Sequence, residues 1–281
     1  MSRVFPNPWK DYELLDAGNS KKLERWGTIV TIRPDRNAYF KQGSPETEWK
    51  KLAHFEFVEH TANSGEWVAL KQNTPREWQI KFQEITLNLK LTKFKHIGVF
   101  PEQSYNWEFV SAQLKPGDRF LNLFGYTGAV SLVARSKGAD VFHCDSVKQI
   151  INWGKENMES SALTDIHWIL EDALKFAQRE VKRGNKYKGI LMDPPAFGLG
   201  ANKERWKIED KFSELLQMAN ALVEPTGFII ANTYSPRLNA DQIIQIADTA
   251  CPGKRLEVNK LSIRSATGKI IEYGELTRIT R

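Results

Sequence analysis

The sequence predicts an α/β protein: a doubly wound, mainly parallel sheet finished by a C-terminal antiparallel hairpin and preceded by a small α+β domain. Three observations predict it. From Asp118 onward, short apolar runs alternate with segments of helical spacing, the pattern of a parallel sheet covered by helices. The last two runs, 255–264 and 270–280, meet across Thr267-Gly268-Lys269 with no helix between them, which makes a hairpin. Residues 12–95 instead combine tryptophans and β-branched residues with turn signals such as Asn63-Ser64-Gly65 and Asn73-Thr74-Pro75. The expected domains are therefore 1–95 and 96–281.

Each element follows from its local pattern. In the first part, 26–32, 66–71, 78–82 and 85–91 read as strands and 49–59 reads as a helix. In the second, 119–124 is an apolar strand, and 127–137 is a small-residue helix stopped by Gly138. Residues 140–144 form a second strand with Asp145 at its carboxyl end, and 147–158 has helical spacing. Residues 166–170 form a strand that runs into Glu171-Asp172, and 173–182 a helix closed by Gly184. Residues 187–192 form a strand that enters Asp193-Pro194-Pro195. A helix over 209–223, a strand over 227–233 and a helix over 241–250 complete a Rossmann-like arrangement.

Composition narrows the function classes. The 281 residues are 41% apolar and 26% charged, an ordinary globular mix. No apolar run approaches the length of about 18 needed to cross a membrane. The first ten residues lack the apolar core of a secretory signal. Cys144 and Cys251 form no spaced framework, so a reduced, cytoplasmic setting is expected. The net charge is +6, and the first 95 residues hold 16 Lys/Arg against 12 Asp/Glu, while the remainder hold 24 against 22. The denser basic excess at the N-terminus favours a polyanionic partner.

In open α/β sheets ligands bind beyond the carboxyl ends of the strands. Four features fall there. The turn Asn122-Leu123-Phe124-Gly125-Tyr126-Thr127-Gly128 joins the first strand to a helix N-terminus, which favours a carboxylate. Asp145 can accept both hydroxyls of a ribose, and Asp172 can meet an adenine amino group; either acid can equally cap the helix that follows. The fourth feature is Asp193-Pro194-Pro195-Ala196-Phe197. The dinucleotide fingerprint G-x-G-x-x-G and the P-loop are both absent, which argues against nicotinamide and nucleoside-triphosphate chemistry.

This set of residues resembles the class I S-adenosylmethionine (SAM) methyltransferases. Within them it is similar to the family of the large-subunit ribosomal RNA cytosine-C5 methyltransferase I. Gly98-Val99-Phe100-Pro101-Glu102-Gln103 is similar to the segment that precedes the catalytic domain in that family. The resemblance covers roughly residues 85–281. It implies SAM contacts at Phe100, Gln103, Phe124, Tyr126, Thr127, Asp145 and Asp172, with Gly125 and Gly128 shaping the turn. It also implies a base in structured RNA as the substrate.

The expected transfer site is Asp193, Pro194, Pro195 and Phe197. Consecutive prolines stiffen the backbone and remove two N–H donors, so nearby carbonyls can face a ligand amine. Asp193 can accept a hydrogen bond from a base edge, and Phe197 can stack on an extruded base. Residues 198–207 read as a basic loop carrying Lys203, Arg205 and Trp206. The cluster Lys182, Arg183, Lys186 and Lys188 reads as a solvated helix end.

Two departures from the family shape the expected chemistry. Its cysteine enzymes carry a nucleophilic thiol after the fifth strand, whereas Ile230-Ala-Asn-Thr-Tyr-Ser-Pro236 has none. Nitrogen methylation, of ribosomal RNA, is therefore expected over cytosine C5. The family's N-terminal PUA domain has no counterpart in the first 95 residues, so substrate docking falls to the small domain. The alternatives are a methyltransferase of a small molecule or protein, and a non-catalytic RNA-binding module.

Overall fold

The computed structural model describes residues 1–61, 64–199 and 205–281. It divides into two units, residues 5–105 with 262–273, and residues 1–4, 106–261 and 274–281.

The chain opens with β1 (Arg3–Val4), which belongs to the larger unit. The smaller unit then holds an antiparallel run, β2 (Tyr12–Gly18), β3 (Lys21–Trp26) and β4 (Ile29–Pro34). Helix α1 (Glu46–Leu52) follows, then β5 (Phe55–Thr61) and β6 (Ser64–Ala69). These strands form one sheet in the order β2-β3-β4-β5-β6, with β4 and β5 parallel. A separate ribbon pairs β7 (Glu77–Phe82) with β8 (Ile85–Lys90). Trp49 of α1 packs with Leu23, Ile32 and Ala53 in a small core.

Two expectations are corrected here. The helix expected over 49–59 stops at Leu52, and Phe55 to Glu59 are strand, because Phe55 and Phe57 bury their rings in the sheet. The strand expected over 26–32 is two strands, split at Gly27, whose φ of +63° makes a hairpin turn.

A single turn over Pro101–Gln103 leads into α2 (Ser104–Gln113). The larger unit continues with β9 (Arg119–Leu123), α3 (Ala129–Ser136), β10 (Asp140–Asp145), α4 (Lys148–Ser160) and β11 (Ile166–Leu170). Next come α5 (Ala173–Lys182) and β12 (Tyr187–Met192), then a two-stranded ribbon of β13 (Phe197–Leu199) and β14 (Arg205–Lys207). It ends with α6 (Ile208–Leu222), β15 (Val223–Thr233), α7 (Ala240–Ala250), β16 (Arg255–Arg264) and β17 (Ile270–Thr280).

The eight-stranded sheet has the order β1-β16-β17-β15-β12-β9-β10-β11. Strands β9, β10, β11, β12 and β15 are parallel, and β17 is antiparallel to β15. The chain reverses its winding between β9 and β12, which places ligands at the carboxyl ends of those strands. The Rossmann-like sheet and its antiparallel C-terminal strands match the fold the sequence predicts. The outermost strand beyond the hairpin, however, is β1, which pairs with Lys260 and Leu261 of β16. The core of this unit lies between β9, β12 and β15 and helices α5, α6 and α7, filled by Leu121, Tyr187, Ile190, Phe212, Leu215 and Ile229. Side chains start two of these helices. Asp172 caps α5, and Asn239 and Gln242 form a capping box on α7.

Candidate active site

The four strand-end features lie in the larger unit. After β9 the chain turns through Phe124 to Gly128 into α3. Phe124, Tyr126 and Gly128 have φ values of +58°, +50° and +85°, in the left-handed region that L side chains rarely adopt. Backbone bonds fix the turn: the Gly125 N–H donates to Cys144 O at 3.0 Å, and the Gly128 N–H to Gly125 O at 3.1 Å. Gly125 leaves no space for a side chain, since a Cβ there would sit 2.4 Å from Cε1 of His143. Beneath the turn runs a buried polar row. Asn122 Nδ2 donates to Ser131 Oγ at 2.9 Å, and that oxygen lies 3.0 Å from Nδ1 of His143. Burial pushes His143 down to about 3, so its ring is neutral. Asn157 Nδ2 donates to Thr127 O at 2.9 Å. The glycine turn is thus rigid and buttressed from below.

Asp145 ends β10 facing this turn. Its Oδ2 accepts the Tyr126 N–H at 3.0 Å and its Oδ1 the Val147 N–H at 2.9 Å. Burial raises its carboxyl, while N–H groups of Val147, Tyr126 and Ser146 oppose the rise. Asp172 is held differently: its Oδ1 accepts the Lys175 N–H at 2.9 Å as the cap of α5. Sequence reasoning missed two neighbours of these acids. Val147 and Leu170 are large apolar residues left 47% and 53% exposed, and Leu170 is in register with Asp145 across β10 and β11. The signal was present, as an apolar residue two positions after one strand-end acid and two before the other.

The Asp193-Pro194-Pro195-Ala196-Phe197 turn leaves β12 beside β9, where the Asp193 N–H donates to Leu123 O at 3.3 Å. Burial lifts the Asp193 carboxyl to about 6, against hydrogen bonds from Tyr234 and Asn232. Pro194 is buried, Pro195 is exposed, and Phe197 presents a ring that is 60% exposed. The expected basic loop over 198–207 is instead built on a hairpin, with Phe197 opposite Lys207 and Gly198 opposite Trp206. Arg205 and Trp206 lie on β14, and Lys203 lies outside the described residues. The Trp206 Nε1–H donates to Pro195 O at 2.7 Å, and its ring lies 5.1 Å from that of Phe124. One indole thereby joins the Asp193–Phe197 turn to the glycine turn, a contact between residues 82 positions apart that the sequence did not disclose.

Phe100 and Gln103 belong to the smaller unit, where the Gln103 N–H donates to Phe100 O at 3.1 Å and the Phe100 ring packs 5.2 Å from His96. Lys186 and Lys188 donate to Ala221 O and Thr226 O, and Arg183 pairs with Glu180 at 2.8 Å, so this basic cluster is tied down locally. Both cysteines are buried. Burial, with the charges of Asp145, Glu171 and Asp172, drives the Cys144 thiol far above its ordinary value, and burial carries Cys251 up to about 11.

Comparison with known proteins gives the family. Residues 52–262, about three quarters of the chain, match the model for S-adenosylmethionine-dependent methyltransferases. The crystal structure of a SAM-dependent methyltransferase from Agrobacterium tumefaciens is 32% identical, with a TM-score of 0.93 over 100% of this chain and 93% of that one. A methyltransferase structure complexed with S-adenosylhomocysteine shares the fold, with a TM-score of 0.79 over 98% of this chain and 76% of that one at 17% identity. The ribosomal RNA large-subunit methyltransferase K/L of Shewanella frigidimarina is 30% identical over 54% of this chain. That match takes in 22% of the relative, so the chain spans about a fifth of its length. A Methanocaldococcus jannaschii protein named for ribosomal RNA large-subunit methylation is 28% identical over 63% of this chain and 43% of its own. No helix among the described residues is long and apolar enough to cross a membrane. On the family match and the Agrobacterium structure, the chain belongs to the S-adenosylmethionine-dependent methyltransferases.

Proposed function

We propose that the chain transfers a methyl group from SAM to a base nitrogen in ribosomal RNA. The observation that carries the nitrogen assignment is the state of the two thiols. Methylating C5 of cytosine requires a thiolate to add to C6 of the base. Cys144 and Cys251 are buried with raised thiols, and neither 193–207 nor 230–236 contains a cysteine. A base nitrogen has its own lone pair and needs no such attack.

The residues fit the cofactor. Asp145, oriented by two backbone N–H groups, is placed to accept ribose hydroxyls. The Asp172 oxygen outside the cap bond suits an adenine amino group, and exposed Val147 and Leu170 supply apolar faces for the ring. The strained turn of Phe124, Gly125, Tyr126, Thr127 and Gly128 offers backbone to the amino-acid part. Bound there, SAM supplies a methyl group on a positively charged sulfur. That methyl group would pass to the acceptor nitrogen, and the carbon–sulfur bonding electrons would stay on sulfur as a thioether. Asp193, ionised above a pH of about 6, then accepts the proton that the methylated nitrogen sheds. Phe197 stacks on the unpaired base, and the Pro194-Pro195 backbone holds its edge in line with the methyl group.

The RNA assignment is supported by the relatives named for ribosomal RNA and by the basic excess of the N-terminal residues. The experiment is methyl transfer from labelled SAM to ribosomal RNA, followed by identification of the labelled nucleoside. A nitrogen-methylated base is expected. Label in 5-methylcytosine would overturn the nitrogen assignment, and label only in a small molecule or protein would overturn the RNA assignment.

A further inference from the structure

The basic excess of the first 95 residues is not spread evenly. Residues 1–70 carry ten Lys/Arg and ten Asp/Glu, whereas residues 71–95 carry six Lys/Arg and two Asp/Glu. All of the excess therefore falls on the β7–β8 ribbon and its flanks. Immediately after β8 stands the turn Thr92-Lys93-Phe94-Lys95-His96, with a Phe94 ring 48% exposed between two lysines.

The turn is built, not frayed. The Phe94 N–H donates to Thr92 Oγ1 at 3.0 Å, and that hydroxyl lies 3.3 Å from His96 O. The Trp67 Nε1–H donates to Phe94 O at 3.1 Å from the neighbouring sheet. Trp67 is itself wedged edge-on against Phe57, with ring centroids 5.2 Å apart. Beside the exposed ring opens a groove of about 230 Å³ between Phe57, Phe94 and His96, with the Thr61 and Ser64 hydroxyls and the Lys95–Glu59 pair on its rim. Lys93 Nζ stands 5.3 Å from the Phe94 ring centre. The groove is smaller than pockets for drug-sized ligands, which run from about 300 to 1,000 Å³. Its flat aromatic wall and rim of hydroxyl, imidazole and carboxylate groups match one heteroaromatic ring with polar edges.

We infer that this groove on the smaller unit holds one unstacked base of single-stranded RNA, with Phe94 as its stacking platform, Lys93 on an adjoining phosphate, and Lys95 exchanging its Glu59 partner for a second one. An exposed aromatic ring in a basic run is the combination that single-stranded nucleic acids require, because every base has a stacking face and every nucleotide a negative charge. The local charge fixes the sign of the partner. An acidic peptide would meet the lysines but leave the aromatic groove unused.

This inference rests on the RNA reading of the substrate, and the test separates the two. The full chain is titrated into fluorescein-labelled single-stranded RNA of mixed sequence, at several salt concentrations, as wild type, Phe94→Ala and Lys93→Glu/Lys95→Glu. Phe94→Ala is expected to weaken binding roughly 5- to 150-fold, the loss of one stacked base. The double charge reversal is expected to weaken it further and to flatten its salt dependence by about 0.7 in the log–log slope per lost phosphate contact. SAM affinity, measured by calorimetry on the same preparations, should stay at the wild-type value and shows that both variants are folded. Tight RNA binding by the wild type that Phe94→Ala leaves unchanged overturns the groove assignment and leaves the RNA substrate standing. Absence of single-stranded RNA binding by the wild type overturns the groove assignment, and methyl transfer to ribosomal RNA decides the substrate reading separately.

Discussion

Asp145 and Asp172 end adjacent strands, yet they are held in different ways. Asp145 is fixed by N–H groups on both sides, from Tyr126 and Val147, while Asp172 spends one oxygen on the first turn of α5. Asp145→Ala should therefore cost SAM binding about 1–3 kcal/mol, the loss of hydrogen bonds to a charged group, and calorimetry reads it directly. An unchanged dissociation constant would end its assignment to the ribose. Phe197→Ala should do the opposite. Its ring faces solvent at the turn proposed to receive the base, so removing it should lower the methyl-transfer rate while SAM affinity holds. A parallel loss of SAM binding would place the ring in the cofactor pocket instead. Asp193 carries a pH signature. Its carboxyl titrates near 6 in the folded chain and near 4 when unfolded, so the folded state binds that proton more tightly. Its charge then opposes folding in full above a pH of about 6, and the opposition fades as the pH falls from about 6 to about 4, below which it is gone. Asp193→Asn should raise Tm at a pH of about 8, and the gain should shrink toward a pH of about 4, while methyl transfer slows. The wild-type rate should itself fall as the pH drops through about 6. Equal Tm values for both proteins at high pH would show that the carboxylate carries no such penalty.

At the scale of elements, the glycine turn is a packed object. A methyl group on Gly125 would strike the His143 ring at 2.4–2.6 Å and Asn122 at 2.9 Å, in a row where every neighbour is buried. Gly125→Ala should cost about 1–3 kcal/mol of stability through overpacking, seen as a lower denaturant midpoint, and should weaken SAM binding with it. A variant as stable as the wild type would mean that the polar row can yield. This part of the molecule was legible because parallel strands buried on both faces are short apolar runs, and acids at their ends break those runs visibly. The elements 166–170, 173–182 and 187–192 are read without error for that reason. The smaller unit was less legible. Trp49, Leu52, Ala53 and Phe57 keep helical spacing while Phe55 and Phe57 keep strand spacing, and tertiary packing of the two Phe rings decides for the strand. The β13–β14 ribbon went unread because its strands are three residues long and the indole of Trp206 is placed by Pro195 and Phe124, a spatial fact without a sequence period. The Phe94 groove was hidden likewise, since it joins residues from 57 to 96 through a sheet.

At the scale of the whole molecule, the smaller unit is closed by the far end of the chain. Asp16 receives the N–H groups of Ala17, Gly43 and Ser44, the indole of Trp49, and the hydroxyl of Thr267 from 251 positions away. Burial pushes its carboxyl up, but these donors together pull it below the ordinary range, so its charge stabilises the fold and is lost only in acid. The Ala266 N–H donates to Leu14 O at 2.9 Å. Tyr273 donates to Asp35 at 3.0 Å and accepts from Lys22 at 3.1 Å, which completes a buried network with Glu24 and Arg33. Residues 262–273 thus supply polar partners that residues 5–105 cannot supply themselves, and leaving buried donors and acceptors unmet costs about 1–3 kcal/mol for each. A fragment of residues 1–105 should therefore unfold without a sharp transition, followed by the fluorescence of its buried tryptophans Trp26 and Trp49. In the full chain, Thr267→Val and Tyr273→Phe should each lower stability by about 1–3 kcal/mol, read at those same indoles in denaturant. Should the isolated fragment melt sharply at the midpoint of the full chain, the terminal hairpin would be a passive neighbour and the smaller unit would be complete without it.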